Sequence, residues 1–185
     1  MPFTPFHFGP ALGIGLPLRK WIHAPTFMVA SVILDVEPFL VLFLGLNYPL
    51  HGYLHTFLFA SLVGLVLGYA SLGLERFVQP FYVKLQLEPS RGFSGGNSFL
   101  LSGLLGALLH VLFDAPLYAD ILPLFPASVN PLYNPSLSTS LGIYALCIWV
   151  GIFGIAYYAA LLIFSAYKRL SKRSVLSVFG ETYKR

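Results

Sequence analysis

Apolar and polar residues in this chain come in blocks. Four long apolar runs occupy residues 22–46, 53–74, 98–113 and 141–167. Each is near the roughly 20 residues that a helix needs to cross a bilayer, the third being a little short. A weaker run, residues 6–18, is interrupted by Pro10 and Pro17 and reads as a short or re-entrant helix buried against the others. Between the runs, "LEPSRGFSGGNS" and "FPASVNPLYNPSLSTS" carry the prolines and glycines of loops. Ser138 or Ser140 is placed to cap the last helix. The pattern predicts an all-α, polytopic membrane bundle of four long spans plus a short N-terminal helix. It reads as a single domain over 1–185, with the bundle in 1–167 and a basic tail in 168–185.

Composition agrees with the blocks: 57% of the residues are hydrophobic and 10% charged, with a mean hydropathy of +0.77. A water-facing domain has about a quarter of its residues charged. The opening "MPFTPFHFG" has no basic residue ahead of its apolar stretch and does not read as a secretory signal. The lone Cys147 excludes an intrachain disulfide.

The formal charge of +4 takes its meaning from position. Arg19 and Lys20 precede the first long run. Arg76, Lys84 and Arg91 lie between the second and third, and Lys168, Arg169, Lys172, Arg173, Lys184 and Arg185 follow the fourth. The connections 47–52 and 115–140 contain neither Lys nor Arg. Positive loops stay in the cytoplasm, so the expected topology is a multi-pass cell-membrane protein with a cytoplasmic C-terminus. The "KRLSKR" stretch is a topology anchor touching anionic lipid. No aromatic-interleaved basic surface accompanies it, so nucleic acid is not an expected partner.

Against this apolar background a few ionisable residues stand out: His7, Asp35, Glu37, His51, His55, His110 and Asp114. Charged groups at membrane depth cost several kcal/mol and mark cavities, pairs or ligands. The set holds histidine and carboxylate without lysine or arginine, the mixture that divalent metals favour. His110 and Asp114 are spaced i, i+4 and share a helix face, as do His51 and His55. Asp35 and Glu37 point apart on a regular helix, but Pro38 removes a backbone hydrogen bond and allows a local break. The expected topology gathers all of these groups in the extracytoplasmic half. The remaining polar residues have plainer readings. His23, near Arg19 and Lys20, is interfacial. Asp120 is solvated in its loop. Glu75 and Arg76 anchor a helix end. Gly64 and Gly68 allow close helix packing. Phe153, Tyr157 and Tyr158 face lipid or pack.

In order, "TPFH", "LDVEP", "GYLHT" and "LLHVLFDAP" resemble the motifs of the predicted membrane-bound metal-dependent hydrolases of the YdjM type. That group shows an early histidine, a D-x-D motif, a G-x-x-H-[ST] motif and an H-x-x-x-D motif, here carried by His7, Asp35 with Glu37, His55, and His110 with Asp114. The resemblance covers about the first 120 residues. Pro38 stands where the pattern has a further histidine, Glu37 where it has a second aspartate, and His51 where it often has arginine. The same order is remotely similar to zinc-dependent phospholipase C and the S1/P1 nucleases. The resemblance implies a hydrolase holding one or two divalent ions, zinc first among them, on His7, Asp35, His55, His110 and Asp114. His51 would be a further ligand, and Glu37 a general base or another ligand. Bound water would then attack an ester or phosphodiester of a lipid or lipid-linked substrate. Two other classes remain. One is a cation or proton pathway, for which the chain is small and would need association of several copies. The other is a non-catalytic membrane protein with a structural metal site.

Overall fold

The computed structural model describes residues 5–87 and 95–182; Arg91, Lys184 and Arg185, used to assign topology, lie outside them. Among the described residues the only regular elements are helices: α1 (Pro5–Gly15), α2 (Ala24–Ala30), α3 (Val36–Leu44), α4 (Phe57–Lys84), α5 (Gly96–Asp114) and α6 (Leu137–Thr182). Single 3-10 turns precede α3 (Ile33–Asp35) and α4 (Tyr53–His55). Among the described residues, four segments are long and apolar enough to cross a membrane: Ala24–Leu44, Phe57–Lys84, Gly96–Asp114 and Leu137–Ser171. The fold is the helical membrane bundle that the blocks of hydropathy predict.

The first span is interrupted. His23 caps α2, its Nδ1 accepting from the Thr26 amide at 3.3 Å, and Pro25 occupies the first turn. The helix stops at Ser31, whose hydroxyl donates back to the Phe27 carbonyl at 2.7 Å. A 3-10 turn follows, and α3 restarts at Val36. The break lies upstream of Pro38, not at it. Pro38 sits in the first turn of α3, where its missing N–H has no helical partner to lose.

The second span outruns its apolar core. Thr56 caps α4, accepting from the Phe59 amide at 3.2 Å, and the helix continues to Lys84. Glu75 and Arg76 therefore lie inside α4 rather than at its end. Two glycine seams close the bundle. A Cβ on Gly64 or Gly103 would collide with the backbone of the other, and one on Gly68 would meet the Phe99 carbonyl, so α4 and α5 touch backbone to backbone. Gly9 and Gly13 bring α1 equally close to α6 at Cys147 and Val150. The first span and α5 are the inner elements, with 44% of each apolar window buried, against 17% for α4 and 11% for α6. On α6, Trp149, Ile155 and Ile163 project outward, as lipid-facing residues do. Phe153 is exposed likewise, while Tyr157 and Tyr158 pack against the buried cluster around Leu16 and Met28. Ser136, two residues ahead of Ser138 and four ahead of Ser140, caps α6 by accepting from the Thr139 amide at 3.2 Å.

The 115–136 connection folds over the end of the bundle formed by the start of α4 and the end of α5. Asn130 donates its amide to the Ala115 and Tyr118 carbonyls at 2.8 and 3.2 Å. The Phe57 amide donates to the Pro123 carbonyl at 2.9 Å, tying the connection to the first turn of α4.

Candidate metal centre

At that end the structure brings together all seven ionisable residues picked out of the apolar runs. His110 and Asp114 lie one turn apart on α5, with His110 Nε2 3.3 Å from Asp114 Oδ2. His7, from α1, stacks on the His110 ring with centroids 3.9 Å apart and sets its Nε2 3.1 Å from Asp114 Oδ1. Asp35, at the end of the 3-10 turn, reaches within 3.7 Å of His110 Nε2. His55, at the end of the second 3-10 turn, brings its Nε2 to 3.3 Å from His110 Nε2 and 3.9 Å from Asp114 Oδ2. His51 packs edge-on against His55. All four histidines and Asp114 are buried.

The rings are oriented from behind. His110 Nδ1 donates to the Ser31 carbonyl at 2.8 Å. That carbonyl is free because the first span is broken: the Asp35 amide, which would accept no other role in a continuous helix than bonding to residue 31, bonds instead to Val32 at 3.2 Å. His55 Nδ1 donates to Glu37 Oε2 at 2.8 Å. His51 Nδ1 donates to Asp120, with contacts of 3.1 and 3.2 Å to its two oxygens. Carbonyls and carboxylates only accept, so in each case the proton is assigned to Nδ1. In a neutral ring that leaves a lone pair on Nε2. The consequence is sharpest for His55 and His110, whose Nε2 atoms lie 3.3 Å apart. Two lone pairs facing each other in a buried site require a cation or a proton between them.

Glu37 and Asp35, two residues apart, serve different rings. Glu37, expected as a general base or ligand, has both oxygens committed. Oε2 takes the His55 ring and the Gly52 amide at 3.0 Å, and Oε1 takes the Leu54 amide at 3.2 Å and the Tyr48 hydroxyl at 3.4 Å. Asp120, expected to be solvated, clamps His51 twice, accepting also from its backbone amide at 3.0 Å. Burial pushes the Asp120 carboxyl up, but the His51 amide and ring outweigh it and hold it below the usual carboxylate range. Hydropathy and residue type did not reveal Asp120, because it lies in an irregular loop; the neighbouring Ile121 and Pro123, both fully buried, are the sequence signal that this loop is docked.

Two sets of potential ligands emerge, and Asp114 belongs to both. His7, Asp35, His110 and Asp114 offer atoms all within 4.8 Å of one another, and so do His51, His55 and Asp114. Ligands at about 2.1 Å from a tetrahedral ion lie about 3.4 Å apart. The separations of His7 Nε2 from Asp114 Oδ1, 3.1 Å, of His110 Nε2 from Asp114 Oδ2, 3.3 Å, and of His110 Nε2 from Asp35 Oδ1, 3.7 Å, fall on either side of that value, the first two running to different oxygens of Asp114. His7 Nε2, Asp35 Oδ2 and Asp114 Oδ1 are buried without a hydrogen-bonded partner, although His7 and Asp114 are in contact. Such orphaned atoms in a buried site are what a cation satisfies. Neither lysine nor arginine can do so, since the chain has none in 21–75 or 92–167, which leaves a metal ion or a proton on the histidines. The buried residues therefore fit a divalent ion.

His23 lies apart from this cluster. It is not interfacial but fully buried, stacked on Phe99 with centroids 4.1 Å apart, with its Nε2 3.4 Å from Glu75. No family model, curated protein or solved structure matches the chain.

Proposed function

We propose that this protein is a membrane-embedded, metal-dependent hydrolase acting on an ester or phosphodiester of a lipid or lipid-linked substrate. The observation that carries the reading is the set of Nε2 lone pairs on His55 and His110, fixed by Glu37 and Ser31, converging with the carboxylates of Asp35 and Asp114 in a buried site. The resemblance to the YdjM-type hydrolases points the same way. In this reading His7, Asp35, His110 and Asp114 hold one ion and His51, His55 and Asp114 a second, zinc suiting the nitrogen and oxygen donors. A divalent ion supplies Lewis acidity and lowers the pKa of water toward 7. Glu37 and Asp120 are positioning residues: they set the tautomer and tilt of His55 and His51.

A cavity of about 210 Å³ opens beside His51 and Asp120, walled by Tyr48, Tyr53, Leu122 and Phe125. Its apolar walls suit the hydrocarbon part of a substrate, and a membrane site gives lipid direct access. The absence of Lys and Arg from the two loops near the site supports an extracytoplasmic location. The test is hydrolysis of phospholipid and acyl-ester substrates by purified protein before and after chelation. Activity lost with chelator and restored by zinc is the expected result; full activity in metal-free protein overturns the reading.

A cation or proton pathway is the second reading. It is favoured by a second histidine–carboxylate pair in the same bundle, the buried His23 with the half-buried Glu75. Zinc or proton flux into liposomes, abolished in His110→Ala/Asp114→Ala, with no hydrolysis, selects it.

A further inference from the structure

The opposite end of the bundle holds a built site of another kind. At the end of α4, Gln86 adopts a left-handed conformation (φ +58°), a residue placement that usually calls for glycine. The Leu87 amide closes the turn on the Tyr82 carbonyl at 2.8 Å. The turn aims the Gln86 carbonyl at Arg19, whose Nη1 donates to it at 3.0 Å, and Tyr158 on α6 donates to the adjacent Leu85 carbonyl at 2.7 Å. These two bonds dock the α1–α2 connection and α6 onto the same turn. Between them lies a groove of about 390 Å³, in which Arg19 faces Ser165, Lys168 and Arg169 across a floor of Leu161 and Phe164.

Three cations from segments about 150 positions apart in the chain share this groove, and no carboxylate among the described residues lines it. Lys168 is held over the Phe164 ring at 4.7 Å, a contact that does not use up its three donors. Arg19 is fixed through one nitrogen and keeps the rest of its guanidinium for a second acceptor; a planar fork of this kind suits a phosphate. Charge is confined to the rim. Toward the middle of α6 the surface is apolar, with Ile163 and Phe164 exposed.

We propose that this groove binds one anionic phospholipid, its headgroup phosphate held by Arg19, Lys168, Arg169 and the Ser165 hydroxyl, and its acyl chains laid along the outer face of α6. The shared chemistry is a phosphate; the apolar floor, continuous with the lipid-facing surface, selects the lipid over a soluble ion. The groove and the histidine cluster lie at opposite ends of α4, a helix of 28 residues and so about 42 Å long. The inference does not rest on the hydrolase reading.

Native mass spectrometry of the full chain, with phosphatidylglycerol, phosphatidylcholine or glycerol phosphate added, tests it. One phosphatidylglycerol is retained in preference to phosphatidylcholine, and glycerol phosphate does not displace it. Arg19→Gln/Arg169→Gln weakens retention by about fivefold for each cation removed, with the metal content unchanged. The exposed Lys168→Gln, which removes no packing between elements, lowers retention by the same single step and guards against a folding defect in the double variant. Equal retention of both lipids, unchanged retention in these variants, or displacement by glycerol phosphate each overturns it.

Discussion

His23 and His110 are both buried histidines in the same bundle, and they carry their protons on opposite nitrogens. His23 uses Nδ1 as an acceptor, from the Thr26 amide, which places its proton on Nε2 facing Glu75 at 3.4 Å. Its backbone amide donates to Ser102 at 2.7 Å, so the residue is a helix cap stitched to α5. His110 does the reverse: Nδ1 donates to Ser31, and in the neutral ring Nε2 presents a lone pair to His55, Asp35 and Asp114. Burial does not separate His23, a structural histidine, from His110, a candidate ligand. The group behind the ring does, because it decides which nitrogen is left to face the interior.

The comparison breaks most visibly on metal. Wild-type protein is expected to retain at least one divalent ion per chain by elemental analysis, and His110→Ala/Asp114→Ala to retain none. His23→Ala keeps the metal. If His23→Ala also lost it, the two histidines would belong to one network. Next in size is the support behind the rings. Glu37→Gln keeps the shape of the side chain but loses its charge, and should weaken zinc binding about 10- to 100-fold in competition with a chromogenic chelator. Asp120→Asn should act in the same direction through His51. A Glu37→Gln protein with unchanged affinity would show that the ring needs no such partner. His23→Ala then appears as a stability change alone: about 1–3 kcal/mol in detergent unfolding, from a lost cap and hydrogen bonds left unmade. The smallest effect lies at the basic end. Gln86→Gly relieves a left-handed residue and should raise stability by up to about 1 kcal/mol with metal content unchanged.

The spans were legible because lipid demands long apolar stretches, and the site was legible because lipid makes ionisable residues conspicuous. His7, Asp35, His55, His110 and Asp114 needed no more than that. The same rule failed where its contrast was weak. Glu75 and Arg76 mark the end of an apolar run, yet α4 continues to Lys84, since a helix ends at its cap and not at its last apolar residue. His23 reads as interfacial from the nearby Arg19 and Lys20, but Thr26, Phe99, Ser102 and Glu75 enclose it, three of them from elements far along the chain. Asp120 is one acid in a proline-rich loop, and only tertiary docking of that loop gives it a partner. The division of labour between Asp35 and Glu37 depends on where the first span breaks, and Pro38 draws the eye to a point several residues too late.

The interruption at Ser31 joins insertion to chemistry. A continuous first helix would satisfy the Ser31 carbonyl within itself and sit more comfortably in hydrocarbon. It would also withdraw the oxygen that sets the His110 tautomer. Mutations that mend this span are therefore expected to withdraw the support behind His110 and to hold metal poorly, so that the break in the backbone is what the candidate centre can least spare.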